Sequence, residues 1–285
     1  MIEYILGIFA LLTLYTEINF FLIKRRIRGP VKIAKGAEPF YKKKGNIGVL
    51  LIHGFTSCPA DFIDLAKTLT KNNISAYAPL LPGHGTSPER LAVTKYYQWI
   101  EEVNTAVDMM AEECKQIYII GNSLGGNLAL IAATKNEKIR GIVTLGAPIY
   151  FHHHRINKNI IIPMLRQIKL FQKKKYLKRN IETVKRINKK RFTYDSIPLR
   201  SIKHLLKVID LSKKNLKNIT KPILVMQTKN DGVIRNESGE YILKYIKSKK
   251  KRLKTVPESY HVFILDKHKD MAKKEIMKFI RETKK

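Results

Sequence analysis

Gly121-Asn122-Ser123-Leu124-Gly125 is the stretch that decides how this chain is read. The apolar run 117–120 precedes it, and Asn127-Leu128-Ala129-Leu130-Ile131-Ala132-Ala133 follows. The order is strand, tight turn, helix, with a serine at the apex. Such a turn lifts the serine hydroxyl out of the sheet into an exposed, strained position. Glycines two residues to either side let strand and helix pass without Cβ clashes. The helix behind the turn aims its free amides at negative charge forming near Ser123. The bland reading, a plain glycine-rich turn, explains the glycines but not the serine between a buried strand and a small-residue helix.

A serine hydroxyl is a weak nucleophile at neutral pH and needs a base, most often histidine. The chain has eight histidines. His261 stands apart from the rest. It follows the strand-like 252–256 and a Pro257-Glu258-Ser259-Tyr260 loop. A loop after the final strand lies where a doubly wound sheet presents residues at its carboxyl edge. The base in turn needs a carboxylate to fix its tautomer. Asp231 lies just past the buried-strand pattern 222–227, in Thr228-Lys229-Asn230-Asp231-Gly232. Its alternative role is an Asx turn before a glycine. Asp266 and Asp210 are the weaker candidates for the acid. The oxyanion should be met by backbone amides, one in the loop after an earlier strand. The run 47–52 leads into His53-Gly54-Phe55-Thr56-Ser57, so the expected donors are the amides of Phe55 and Leu124. His53 is expected to hold that loop through a ring hydrogen bond rather than to act as the base.

Ser123, Asp231 and His261 in this chain order, with His53-Gly54 and the serine turn, resemble the α/β-hydrolase superfamily. His53-Gly54-Phe55-Thr56, Pro82-Gly83-His84-Gly85 and Gly141-Ile142-Val143-Thr144-Leu145-Gly146-Ala147-Pro148 narrow this to bacterial carboxylesterases and monoacylglycerol lipases. The resemblance covers roughly residues 40 to 284. It implies a serine esterase with a small helical lid over its site. Tyr260 stands where such families usually have glycine before the histidine, and the glycine often found upstream of the acid is missing.

The remaining pattern fits an α/β-hydrolase fold, a doubly wound, mostly parallel sheet. Apolar runs at 47–52, 74–78, 117–120, 141–145, 222–227 and 252–256 alternate with helical patterns at about 61–72, 94–114, 124–134, 237–247 and 268–282. With 285 residues the chain holds one such domain, expected over 29–285 with a lid inserted at about 150–210, plus an amino-terminal appendage, 1–28. Residues 2–23 are mostly apolar, with Glu3 and Glu17 the charged exceptions, and Lys24-Arg25-Arg26-Ile27-Arg28 follows at once. At 1.5 Å per residue this run suffices for a hydrocarbon core of about 30 Å. A secretory signal carries its positive charge before the apolar run, the reverse of this order. The positive-inside rule puts the 24–28 end in the cytoplasm, so the chain is expected to be a single-pass, membrane-anchored protein with a cytoplasmic catalytic domain. An interfacial helix is the alternative.

The formal net charge is +32. Part of this is composition bias, with Lys, Asn and Ile abundant together. Part is local: 152–191 holds 14 Lys or Arg against one acid, Glu182, and apolar residues come with them, Ile160, Ile161, Ile162, Met164, Leu165, Ile168, Leu170 and Phe171. A basic segment with an apolar side reads as an element at an anionic membrane surface. No nucleic-acid-binding motif accompanies the charge, so nucleic acid is not an expected partner. Cys58 and Cys114 are too few for a metal or disulfide framework. His152, His153 and His154 are consecutive and point different ways, so no metal and no cofactor is expected. The functional expectation is a serine carboxylic-ester hydrolase acting through an acyl-enzyme on a small lipid-like ester, a monoacylglycerol or another medium-chain, single-acyl ester. The alternatives are a membrane-tethered, non-catalytic scaffold, or the same triad acting on a thioester, an amide or a lysophospholipid.

Overall fold

A computed structural model describes residues 1–152, 169–174, 176, 181–189, 191–229 and 231–284. Its centre is a seven-stranded sheet in the order β1-β3-β2-β4-β5-β8-β9. The strands are β1 (Phe40–Lys42), β2 (Ile47–Ile52), β3 (Ile74–Ala78), β4 (Gln116–Asn122), β5 (Ile139–Leu145), β8 (Ile223–Thr228) and β9 (Lys251–Val256). A separate antiparallel pair is formed by β6 (Phe171–Lys173) and β7 (Ser196–Pro198). Only β1 runs antiparallel to its neighbour in the main sheet; every other pairing there is parallel.

The central strands are continuous apolar runs because both faces of the sheet are covered. Alternate residues go to opposite cores. Leu50, Ile52, Ile117, Ile119, Ile142, Ile223 and Val225 face one layer, packed on Trp99, Val103 and Val107 of the helix Tyr96–Glu113 and Leu128 of the helix Leu124–Ala132. Val49, Leu51, Tyr118, Ile120, Val143, Leu145, Leu224 and Met226 face the other, packed on Phe62, Leu65 and Leu69 and on Ile276, Phe279 and Ile280 of the helix Lys269–Thr283. The buried apolar side chains of β2, β4, β5 and β8 thus leave water for an apolar layer, at about 25 cal/mol per Å² of apolar area, while Arg140 of β5 stays exposed.

Strand order reverses direction at β2. The chain goes outward to β3, then returns across β2 to β4. The crevice beyond the carboxyl ends of two such strands is the usual ligand position in an open parallel sheet. Residues 53–57 leave β2 there and Ser123 leaves β4 there.

Between β5 and β8 the chain makes its longest excursion, which includes β6, the helix Ile181–Asn188, β7 and the helix Leu199–Asn215. That last helix packs behind the serine turn. Asn127 Nδ2 donates to Ser212 Oγ (2.8 Å), and Asn215 Nδ2 donates to Leu130 O (2.7 Å). The sequence places the basic, apolar segment here. Ile160 to Ile168, His153 and His154 lie outside the described residues.

At the amino terminus, Ile2–Arg26 is one helix. It is the one helix among the described residues long and apolar enough to cross a membrane, a property that signal sequences share. Leu6, Leu11, Leu14, Tyr15, Ile18, Phe21 and Leu22 are exposed, while Thr16 and Phe20 are buried. Glu17 pairs with Arg200, whose guanidinium also lies 4.0 Å from the Phe20 ring centroid.

Candidate active site

Ser123 sits at φ 52°, ψ −117°, a conformation that L-residues rarely adopt. The surrounding glycines show why the turn is built this way. A Cβ on Gly121 would lie 2.0 Å from Gly125 O, and one on Gly125 would lie 2.0 Å from Ile52 O. Strand, turn and neighbouring strand touch through backbone alone. The strain, of order 1–3 kcal/mol, persists because the packing around it allows nothing else. Ser123 N donates to Leu145 O at 2.8 Å, which ties the apex to the end of β5. Leu124 opens the following helix, so its amide has no intrahelical acceptor and lies at the positive end of the helix dipole.

His261 and Asp231 meet at the same sheet edge. His261 Nδ1 lies 2.7 Å from Asp231 Oδ2, and both side chains are buried. A carboxylate only accepts, so the imidazole proton is on Nδ1. Nε2 is buried and has no hydrogen-bond partner among the described residues, which leaves its lone pair free to take a proton. The ring lies on Gly146, whose φ is +62°: a Cβ there would be 3.2 Å from His261 Cε1. Gly146 follows Leu145, the residue bonded to Ser123 N, so serine turn and imidazole share one support.

Asp231 does two jobs at once. Its Oδ1 accepts from Val233 N (2.7 Å) and Ile234 N (3.1 Å), the Asx-turn pattern, while Oδ2 is left for His261. Burial pushes its carboxyl pKa up, but the facing His261 and the two amides outweigh burial and hold it below the ordinary value. His152 Nε2 donates to Asp231 O at 2.6 Å, and Phe151 bridges to Ile234, so the start of the excursion after β5 is fastened to the acid loop. The weaker acid candidates lie elsewhere. Asp210 is exposed on a helix. Asp266 accepts from Ser259 Oγ (2.6 Å), Tyr260 N (2.9 Å) and Arg186 Nη2 (2.8 Å), and so organises the loop before His261. Tyr260, in the position where glycine is usual, is accommodated through that amide bond to Asp266.

The Gly54–Ser57 turn lies directly against the serine. A Cβ on Gly54 would be 3.4 Å from Ser123 Cβ. His53 supports the turn from beneath. Its Nε2 accepts from Leu81 N (3.1 Å), which leaves Nδ1 to donate to Gly54 O (2.9 Å). Phe55, His84 and Trp99 pack edge to face behind it.

His53, His84 and His204 are held neutral by their surroundings. Burial brings His53 down to about 4 and His84 well below its usual range, the latter with help from His53. Burial, then Lys95 and Lys203, brings His204 to about 4. The unfolded chain would protonate all three near pH 6.5, so the folded state binds fewer protons below that pH and loses stability as pH falls from about 6.5 toward 4. Melting temperatures across pH 7 to 4.5 should show this loss. His204→Gln should make it shallower; an unchanged slope would mean that His204 is already charged in the folded protein.

Two features escaped the sequence. The sequence places Arg191 in the basic segment 152–191, read as an element at an anionic membrane surface. Instead it is buried, with Nη1 2.6 Å and 2.8 Å from the two carboxylate oxygens of Asp61 and 2.9 Å from Ser57 Oγ. Tyr194 OH donates to Gly83 O (2.7 Å) and accepts from Thr86 N (3.0 Å), joining the insertion to the Pro82-Gly83-His84-Gly85 loop. Asp61, between Ala60 and Phe62 at a helix start, is the available signal. No group of three or more His, Cys, Asp or Glu able to hold a metal occurs among the described residues.

Comparison with known proteins gives the site a context. The profile of the family described as serine aminopeptidase, S33, matches residues 45–268. A thermostable monoacylglycerol lipase of Bacillus sp. (strain H-257) is 30% identical, over 87% of this chain and 95% of its own length. A carboxylesterase of Bacillus subtilis (strain 168) is 29% identical, over 86% and 96%. Among solved structures, one from the metagenome-derived lipolytic enzymes LipS and LipT superposes with a TM-score of 0.77 at 27% identity, covering 88% of this chain and all of that one. The monoacylglycerol lipase of Paleococcus ferrophilus gives 0.73 at 20% identity, which bears on fold alone, over 87% of this chain and all of that one.

Proposed function

The chain belongs to the serine aminopeptidase S33 family of α/β-hydrolases and is a serine ester hydrolase of the carboxylesterase and monoacylglycerol lipase kind; on that premise we propose that Ser123, His261 and Asp231 form its catalytic triad and that it cleaves monoacylglycerols, or similar medium-chain single-acyl esters, at a membrane. The observation that carries the site reading is the buried 2.7 Å bond between His261 Nδ1 and Asp231, with Nε2 left free.

In this mechanism Ser123 Oγ attacks the ester carbonyl as His261 Nε2 takes its proton. The carbonyl oxygen becomes an oxyanion, received by the amides of Phe55 and Leu124. One such donor contributes about 3–4 kcal/mol to the transition state. The tetrahedral intermediate collapses, the C–O bond to the alcohol breaks, and the imidazolium returns its proton to the leaving alkoxide. Water then attacks the acyl-enzyme by the same base, releasing the fatty acid and restoring Ser123. Asp231 stays ionised throughout, held below its ordinary pKa, and stabilises the imidazolium.

The membrane part of the proposal rests on the helix Ile2–Arg26. Its outer face is apolar, its last turn carries Lys24, Arg25 and Arg26, and Glu17 fastens it to Arg200 of the helix Leu199–Asn215. Residues 2–23 act as the tether, and 24–28 hold the domain on the cytoplasmic side against anionic headgroups. The relatives named as monoacylglycerol lipases support a single-chain lipid as substrate. A variant lacking residues 1–28 should hydrolyse short soluble esters at the normal rate. On substrate in anionic vesicles it should lose most activity, and added salt should weaken what remains. Vesicle activity indifferent to both truncation and salt would remove anchor and charge from substrate delivery.

A further inference from the structure

The turn that carries the Phe55 amide is strained, and its own closing bond and the His53 bond to Gly54 O leave the Thr56 carbonyl and the Ser57 side chain to be held from elsewhere. Ser57 N closes it onto Gly54 O at 3.1 Å, with Phe55 and Thr56 in the middle. Thr56 sits at φ 63°. A β-branched residue at positive φ is a true outlier, and such a conformation persists only where its surroundings over-determine it. Those surroundings come from one short stretch of the insertion, 191–194. Thr193 Oγ1 donates to Thr56 O (2.9 Å), and so does Tyr194 N (3.2 Å). Arg191 Nη1 reaches Ser57 Oγ (2.9 Å) and both oxygens of Asp61, while Ser57 Oγ donates to Asp61 Oδ2 (2.6 Å). Phe192 O accepts from Cys58 Sγ at 3.4 Å. Every residue from Thr56 to Cys58 is therefore bonded to the insertion by a backbone or side-chain atom, and the charged centre of the contact is buried.

We propose that Arg191 is a positioning residue for the oxyanion donor: its ion pair with Asp61 and its bond to Ser57 hold the Gly54–Ser57 turn, and with it the Phe55 amide, in place beside Ser123. The inference rests on the site reading above. The insertion is then more than a cover over the pocket. Its returning stretch, 191–194, braces one wall of the catalytic site, and the brace acts on the transition state, where the oxyanion exists, rather than on the ground-state ester.

The test compares Arg191→Met with the double variant Asp61→Leu/Arg191→Met on a short soluble ester, together with binding of a boronic acid that mimics the tetrahedral intermediate. The double variant replaces the pair by apolar groups, so it restores the stability that an unpaired buried carboxylate loses and carries the test even where the single variant folds poorly. In both, kcat should fall by about 10- to 100-fold, as expected for a catalytic group displaced by a fraction of an ångström to 1 Å. KM should stay within about threefold, and boronate affinity should fall in step with kcat/KM. A folded single variant with unchanged kcat overturns the proposal, and so does a double variant that regains full kcat, since the pair would then only neutralise buried charge. Ser123→Ala separates the two levels. If it abolishes hydrolysis while the Arg191 variants are normal, only the brace fails; if it hydrolyses normally, the site reading fails.

Discussion

Ser123→Ala should lower kcat for ester hydrolysis by about 10⁴- to 10⁶-fold, with KM and the melting temperature nearly unchanged. The size of the effect follows from the geometry. Ser123 is lifted out at the apex of a strand-to-helix turn by a φ of 52°, with Gly54 against its Cβ. Removing one oxygen changes no packing. What remains is the oxyanion site and substrate binding, which sustain slow turnover by water. Steady-state rates on a short ester, and labelling by a fluorophosphonate, read the outcome. A variant that keeps near-normal rates, or is still labelled, would show that another residue is the nucleophile.

Asp231→Asn should cost about 10⁴-fold in kcat, because an amide in place of Oδ2 no longer requires the proton to sit on Nδ1 and no longer stabilises the imidazolium. The fold should survive, since an asparagine oxygen still accepts from Val233 N and Ile234 N. Asp266→Asn should cost far less, through the loop it holds by Ser259 and Tyr260, and Asp210→Asn, on an exposed helix face, nothing measurable. A loss at Asp266 with none at Asp231 would reverse the assignment. Rates measured from acid to neutral pH would show whether the Asp231 variant loses activity at every pH, as a missing tautomer anchor requires.

The sheet is readable in the chain because its central strands are buried on both sides and so are written as mainly apolar runs, at 47–52, 74–78, 117–120, 141–145 and 222–227. The serine turn was readable because backbone-to-backbone contact at Gly121 and Gly125 leaves no room for a Cβ, so a structural requirement appears directly as residue identity. His261 and Asp231 could be placed because loops after parallel strands gather at one edge. The three-residue strand β1 was missed: Phe40-Tyr41-Lys42 is too short to display alternation, and it is a strand only because β3 is there to pair with it. Asp61 and Arg191 were missed for a related reason. They stand 130 positions apart, and neither residue indicates its partner. An acid at a helix start and one arginine among many in a basic run both look solvated, and only the folded chain makes them a buried pair. Asp266 was read as a rival acid because its position five residues past His261 does not reveal that its oxygens are already used by Ser259, Tyr260 and Arg186.

The pairing of Glu17 with Arg200 has a consequence for where the enzyme can work. With the helix fastened to the domain at residue 17 and Thr16 and Phe20 buried, the projecting part, residues 2–15, rises only about 21 Å at 1.5 Å per residue. That falls short of a hydrocarbon core of about 30 Å. Ile18, Phe21 and Leu22, below the fastening point, are exposed as well. On the proposed membrane reading, both would be accommodated with the bilayer thinned beneath the enzyme and the flank around Arg200 among the headgroups. Each ångström of mismatch costs a fraction of a kcal/mol, so a protein tethered in this way should gather where the membrane is thin.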